Sequence, residues 1–121
     1  MTIKKILIVD DSPTERCLLS AILTPHGFQV IMAEDGKQAI AKAKVERPDL
    51  VLMDVVMPGI NGFQATRLFV NDRLLAEIPI IICSTKGQAI DKIWGLRQGA
   101  KDYIAKPVIE TELLQKISKL N

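Results

Sequence analysis

The chain has 121 residues, 48% of them hydrophobic and 25% charged, with a formal net charge of +2. That length and composition suit one domain with a packed core and exclude a disordered chain. Sixteen Lys and Arg against fourteen Asp and Glu are too evenly balanced to make nucleic acid or an anionic membrane an obligatory partner. Ile6-Leu7-Ile8-Val9 is a short, continuously apolar, branched run, the pattern of a strand buried on both faces of a parallel sheet. Ser12-Pro13-Thr14-Glu15 follows as a capping box with Pro at the first helical position. Leu18, Leu19, Ile22 and Leu23 then form one apolar stripe. Phe28 to Met32 is a second strand, mixed with polar residues as an edge strand is. Asp35-Gly36-Lys37-Gln38 opens a second helix through Ala39, Ile40 and Ala43, closed by Arg47-Pro48. Leu50-Val51-Leu52-Met53 is a third strand, and Gly62 to Asn71 a helix carrying Phe63, Leu68 and Phe69. Ile80-Ile81-Ile82-Cys83 is a fourth strand. The helix after it, Gln88 to Gln98, carries Ile90, Ile93 and Trp94, with Gly99 as its C-cap. Tyr103-Ile104-Ala105 is a short fifth strand at the other edge, and Leu113, Leu114, Ile117 and Leu120 make the last stripe. Strands and helices that alternate in this way predict a single α/β domain over 1–121, an open parallel sheet with helices on both faces.

Such sheets bind ligands at the carboxyl ends of their strands. Here the first strand ends in Asp10-Asp11, the third in Asp54, the fourth in Ser84-Thr85 and the fifth in Lys106-Pro107. Singly, each has a plainer reading: a turn aspartate, loop hydroxyls, a solvated lysine. Jointly they are specific, because scattered surface polarity would not coincide with four strand ends. Converging carboxylates repel, and a hard divalent cation such as Mg²⁺ offsets that repulsion. A phosphoryl group suits the set: its oxygens can be shared among Mg²⁺, Lys106 and Ser84 while an Asp oxygen acts as nucleophile.

The runs Ile8-Val9-Asp10-Asp11-Ser12, Leu52-Met53-Asp54-Val55-Val56-Met57-Pro58-Gly59, Ile82-Cys83-Ser84 and Tyr103-Ile104-Ala105-Lys106-Pro107 resemble the receiver domain of bacterial response regulators. The likeness covers the whole chain with nothing left for an output domain, so it is nearest stand-alone CheY-like receivers. Asp11-Ser12-Pro13-Thr14-Glu15, Asn61-Gly62-Phe63-Gln64-Ala65-Thr66-Arg67 and Trp94-Gly95-Leu96-Arg97-Gln98-Gly99-Ala100 narrow it toward the twitching-motility PilH type. The resemblance implies a flavodoxin/CheY-like (βα)5 fold with strand order 2-1-3-4-5. It implies that Asp54 accepts a phosphoryl group from a CheA-like histidine kinase. Asp11 is then a direct Mg²⁺ ligand, Asp10 holds the metal through water, and the Val56 carbonyl is a backbone ligand. Lys106 and Ser84 contact the phosphoryl group, and Tyr103 is the aromatic that moves inward when the Ser84 hydroxyl is drawn away. It also implies a cis bond before Pro107 and a target that reads the face of the fourth helix, fifth strand and fifth helix. Val56 and Lys86 flank the approach of the hydrolytic water, so both are expected to influence the lifetime of the phosphorylated state. The family often caps its last helix with a hydroxyl or acid; Ile109 stands there, which shifts the expected start of that helix toward Thr111. Thr85 replaces a common Ala.

The remaining features are plainer. Met1 to Lys5 lacks a signal-peptide pattern, and no apolar run comes near the ~20 residues that span a bilayer. Cys17 and Cys83 lie far apart with no metal-ligand spacing, which argues against disulfides and zinc and fits a reducing cytoplasm. A redox role for Cys83 is a weak expectation, since free cysteines usually serve as small buried hydrophobes. The lone His26 reads as a solvated turn residue and excludes a His-rich metal site. Trp94 is either a partner-binding aromatic or packed on its own helix, and Lys4, Lys5, Lys42, Lys44 and Lys101 read as solvated surface. The function expected is a single-domain response regulator, monomeric or weakly dimeric, without nucleic acid or membrane insertion. It is not an enzyme beyond its own phosphorylation and dephosphorylation. Alternatives are a phosphate sink for a shared kinase, a receiver that works unphosphorylated, a flavin carrier, or a Mg²⁺-dependent aspartyl-phosphate phosphatase. The last would need a second acid where Val56 stands, and Asp10-Asp11 would repel a flavin phosphate.

Overall fold

A computed structural model of the chain describes residues 2–85 and 89–121. Strands β1 (Lys5–Val9), β2 (Gln29–Ala33), β3 (Leu50–Asp54), β4 (Ile80–Ser84) and β5 (Asp102–Ala105) alternate with helices α1 (Pro13–Leu23), α2 (Gly36–Glu46), α3 (Gly62–Val70), α4 (Ala89–Gln98) and α5 (Glu110–Leu120). The strands form one parallel sheet in the order β2-β1-β3-β4-β5. The mixed second run and the short fifth run are therefore its edges, and the order reverses between β1 and β3.

Strand side chains alternate between faces, and the core divides accordingly. Leu7, Val9, Val51, Met53, Ile80 and Ile82 pack with Ala39 and Ala43 of α2 and Ala65 and Phe69 of α3. Ile6, Ile8, Leu50, Leu52, Ile81 and Ile104 pack with Leu19 and Leu23 of α1 and Leu113 and Ile117 of α5. β3 and β4 are buried along their whole length.

The helix ends follow local chemistry, with some departures from expectation. Ser12 caps α1 by accepting from Glu15 N, and Pro13 takes the first position. The reciprocal half of that box does not form, because the Ser12 amide donates to Asp10 Oδ1 at 3.0 Å. Asp35 caps α2, and Arg47 ends it in the left-handed region at φ 50°. The complete capping box is on α3, where Asn61 and Gln64 bond each other's amides. Gly99, at φ 113°, terminates α4 as expected. The last helix begins at Glu110, next to Thr111 as expected; Ile109 offers no side-chain cap, and Glu110 and Glu112 place acid in the first turn, where the helix dipole favours it.

Several stripe residues expected inside are outside. Leu18 is 55% exposed and Leu68 47%, because each sits at the margin of its helix's apolar arc, and Ile93 is 48% exposed on the side of α4 away from buried Gly95. Gln88 and the Ile90 side chain lie outside the described residues. His26 ends a short 3-10 turn after α1 and is exposed there, as expected, with its Nε2 3.4 Å from Glu110 Oε1 of α5. Of the surface lysines, Lys5 pairs with Glu46 and Lys44 with Asp72, and Lys42 Nζ donates to the Met32 carbonyl at 2.6 Å. No helix among the described residues is long and apolar enough to cross a membrane.

Candidate functional site

The alternation that divides the core also sorts the polar groups at the carboxyl edge. Asp10 continues the series Ile6, Ile8; Asp54 continues Leu50, Leu52; Lys106 follows Ile104. All three leave the sheet on the α1/α5 side. Ser84 continues Ile80, Ile82 toward α2 and α3, the side on which Tyr103 is buried. The backbone fixes the ends: Asp10 N donates to Ala33 O at 3.1 Å, and Lys106 N to Ser84 O at 2.8 Å.

The geometry brings the expected acids together. Asp10, Asp11 and Asp54 each offer an oxygen, and these lie within 4.8 Å of one another. Lys106 Nζ donates to Asp10 Oδ2 at 2.6 Å and to Asp54 Oδ1 at 3.1 Å. Asp10 and Lys106 are nearly enclosed, with side chains 2% and 6% exposed, whereas Asp11 faces solvent. The bond Lys106–Pro107 is cis, as expected.

Burial sets the electrostatics. It raises the Asp54 carboxyl above its ordinary value; Lys106 opposes this, Asp10 adds to it, and burial wins. For Lys106, burial favours the neutral amine, but the hydrogen bond to Asp10 and the charges of Asp54 and Asp10 hold its pKa up. The two shifts fit one picture. Lys106 is firmly charged, and it gives its shorter bond to Asp10, leaving Asp54 under-compensated. Hard oxygen donors at this spacing, with an open solvent-facing acid, fit a divalent cation of the Mg²⁺ kind.

Ser84 is 1% exposed and Tyr103 8%. The Val56 side chain is 60% exposed, two residues past Asp54, and Thr85 is exposed beyond Ser84. Lys86 lies outside the described residues. Burial pushes the Cys83 thiol up to about 12, which leaves it un-nucleophilic, and Cys17 is exposed on α1.

Sequence reasoning missed two supporting residues. Arg16 Nη1 donates to the Asp10 carbonyl at 2.7 Å, and its other end lies 3.8 Å from Glu34. Glu15 Oε2 lies 3.9 Å from Lys106 Nζ. Both sit in the first turn of α1 after the Asp pair, and that proximity was the available signal.

A profile of the response regulator receiver domain matches residues 6–118. The chain belongs to the response-regulator receiver family. It is 57% identical over 114 residues to protein PilH of Pseudomonas aeruginosa, covering 94% of each. It is 40% identical to the phosphate regulon transcriptional regulatory protein PhoB of the same organism, across 94% of this chain but 50% of PhoB. It thus spans about half the length of such transcriptional regulators. The solved structure of chemotaxis protein CheY4 of Vibrio cholerae superimposes with a TM-score of 0.91 at 31% identity, over 99% of this chain and 100% of CheY4. The sheet order and the acidic pocket are thus those of a CheY-like receiver, a family that binds Mg²⁺ at such a pocket.

Proposed function

We propose that this chain is a phosphorylation-switched signalling module in which Asp54 accepts a phosphoryl group from a histidine kinase. One observation carries most of the reading: the Asp54 carboxylate stands within 4.8 Å of the Asp10 and Asp11 oxygens and accepts from Lys106 at 3.1 Å. In the transfer an Asp54 oxygen bonds to phosphorus as the donor's phosphorus–nitrogen bond breaks, its electron pair leaving with the imidazole nitrogen. Asp10, Asp11, Asp54 and the Val56 carbonyl would hold Mg²⁺. Bound there, the ion supplies positive charge against the acids and the phosphoryl oxygens. Lys106 brings its ammonium to those oxygens, and Ser84 donates its hydroxyl. Drawing Ser84 toward Asp54 vacates space on the opposite side, where Tyr103 is packed. The face of α4, β5 and α5 then changes, and a protein partner reads the change.

The α4 surface supports a partner: Ile93, Trp94 and Leu96 are 40–49% exposed on one helix. The near full-length likeness to PilH favours twitching motility or taxis as the setting, a CheA-like kinase as donor and the cytoplasm as the compartment. The only catalysis assigned is the module's own phosphorylation and dephosphorylation. The test is intact-mass detection of a phosphoryl adduct from acetyl phosphate, with and without Mg²⁺, on wild type and Asp54→Ala. An adduct that needs Mg²⁺ and disappears in the variant is expected. No adduct on wild type would sink the reading and leave a receiver that binds its partner unphosphorylated.

A further inference from the structure

Glu15 occupies the third position of α1, where the acid of a capping box ordinarily turns back to the N-cap amide. That amide, Ser12 N, is taken by Asp10 Oδ1 at 3.0 Å. The Glu15 carboxylate turns instead toward Lys106, 3.9 Å away. This is too long for a hydrogen bond but short enough for a direct charge–charge interaction. One ammonium is thus shared among three carboxylates: Asp10 at 2.6 Å, Asp54 at 3.1 Å and Glu15 at 3.9 Å. Glu15 is the most open of the three, its side chain 36% exposed against 2% and 12%. It also lines the groove between α1 and the Pro107–Val108 segment.

We infer that Glu15 is a positioning residue that restrains Lys106 in the unphosphorylated protein and weakens the Asp54 site's hold on a phosphoryl group. The inference rests on Asp54 being the phosphoacceptor. A phosphoryl group brings further negative charge, and Lys106 must turn its own charge onto it. Glu15 opposes this twice, by competing for the ammonium and by repelling the incoming anion. Toward a cation the same carboxylate acts oppositely and favours binding. Removing the charge should therefore tighten an anion and loosen a cation at one site. A change that merely disturbed α1 would weaken both.

The probe for the phosphoryl group is beryllofluoride, titrated at saturating Mg²⁺ into wild type, Glu15→Gln and Glu15→Asp. Mg²⁺ alone is titrated in parallel. Glu15→Gln should bind beryllofluoride about two- to fivefold tighter, the range for a partly exposed charge pair, and bind Mg²⁺ more weakly. Glu15→Asp, which keeps the acid but shortens its reach, should fall between. At about 1 M salt, where screening acts within about 3 Å, the difference should largely close. Unchanged or weaker beryllofluoride binding in Glu15→Gln would overturn the inference. So would both ligands shifting the same way, or a gain that survives high salt. Wild type failing to bind beryllofluoride would overturn the Asp54 reading itself, and this inference with it.

Discussion

Gly62→Ala is a sharp test of how the fold holds Asp54. Gly62 opens α3, and its amide donates to Val55 O at 2.8 Å, so the helix start is pressed against the end of β3. A β-carbon there would overlap the Asp54 carbonyl oxygen and lie 2.8 Å from its carbonyl carbon and 2.9 Å from Val55 Cα. These are backbone atoms with no rotamer to yield, so α3 or the β3 end must move. Gly36 is a matched control: it opens α2 behind an aspartate cap, as Gly62 opens α3 behind an asparagine cap. Any helix-propensity gain from alanine is therefore similar at both. At Gly36 the nearest atoms are Ile60 Cδ1 and Cγ1 at 2.7 Å, the outer part of a side chain that can turn away. Overpacking typically costs about 1–3 kcal/mol, and a backbone collision belongs at or above the top of that range. Gly62→Ala should thus cost about 3 kcal/mol or more and Gly36→Ala about 1 kcal/mol or less. Urea unfolding resolves that difference within the ~5–15 kcal/mol stability of a domain this size. Because the collision falls on Asp54, Gly62→Ala should also weaken Mg²⁺ binding while Gly36→Ala leaves it alone. Two variants of equal stability would refute the reasoning.

Three further outcomes follow from charge and burial. Asp54's carboxyl is raised from its ordinary 3.8 chiefly by burial, so its ionised form works against the fold. That penalty is absent below pH 3.8, grows as pH rises from 3.8 toward the raised value and is complete above it. Asp54→Asn should therefore melt a few degrees higher than wild type at pH 7 without Mg²⁺ and no higher in acid; a lower melting point at pH 7 would contradict the assignment. Asp102 behaves oppositely: burial works to raise it, but the Tyr103 amide at 2.8 Å and Lys116 at 3.0 Å hold it below 3.8. Its contribution is present above pH 3.8 and lost as pH falls through the lowered value, so Asp102→Asn should cost about 1 kcal/mol at pH 7 with the gap closing in acid denaturation. Finally, an aromatic disulfide reagent should titrate Cys17 alone in native protein and Cys83 only after unfolding, since the latter is 1% exposed with its thiol pushed up to about 12. Prompt reaction at both would refute the burial.

The sheet was legible because both-face burial leaves its mark on every residue. Leu50 to Met53 and Ile80 to Cys83 have no polar member, and they are the central strands, buried end to end. The acid cluster was legible because strand order places the ends of β1 and β3 side by side, with Val9 opposite Met53. Less legible were features whose partner is remote in the chain. His26 meets Glu110 and Glu15 meets Lys106 only because α1 and α5 share a face. Helical period also says which residues share a stripe but not how wide the covered strip is, hence the exposure of Leu18 and Leu68. The α3 capping box was a different kind of miss: Asn61 and Gln64 stand at the right spacing, and the motif reads directly once asparagine is admitted beside Ser and Thr.

The parity of the strands also separates the two jobs that a switch must do. Asp10, Asp54 and Lys106 emerge toward α1 and α5, on the side whose buried cluster runs through Ile6, Ile8, Leu50, Leu52 and Ile104. Ser84 and Tyr103 belong to the other side, with Ile82 and Phe69. A group added to Asp54 thus forms on one side of the sheet, while the residues proposed to report it rest on the other. The Ser84 hydroxyl, at the very end of β4, is where a short reorientation crosses between them. Its carbonyl already receives the Lys106 amide at 2.8 Å, so the backbone beneath it is pinned. Rotation about the Ser84 side chain is then the cheap movement and displacement of the strand the expensive one. On the proposed reading, a small change at Asp54 would in this way be passed to Tyr103 without disturbing the fully buried centre of the sheet.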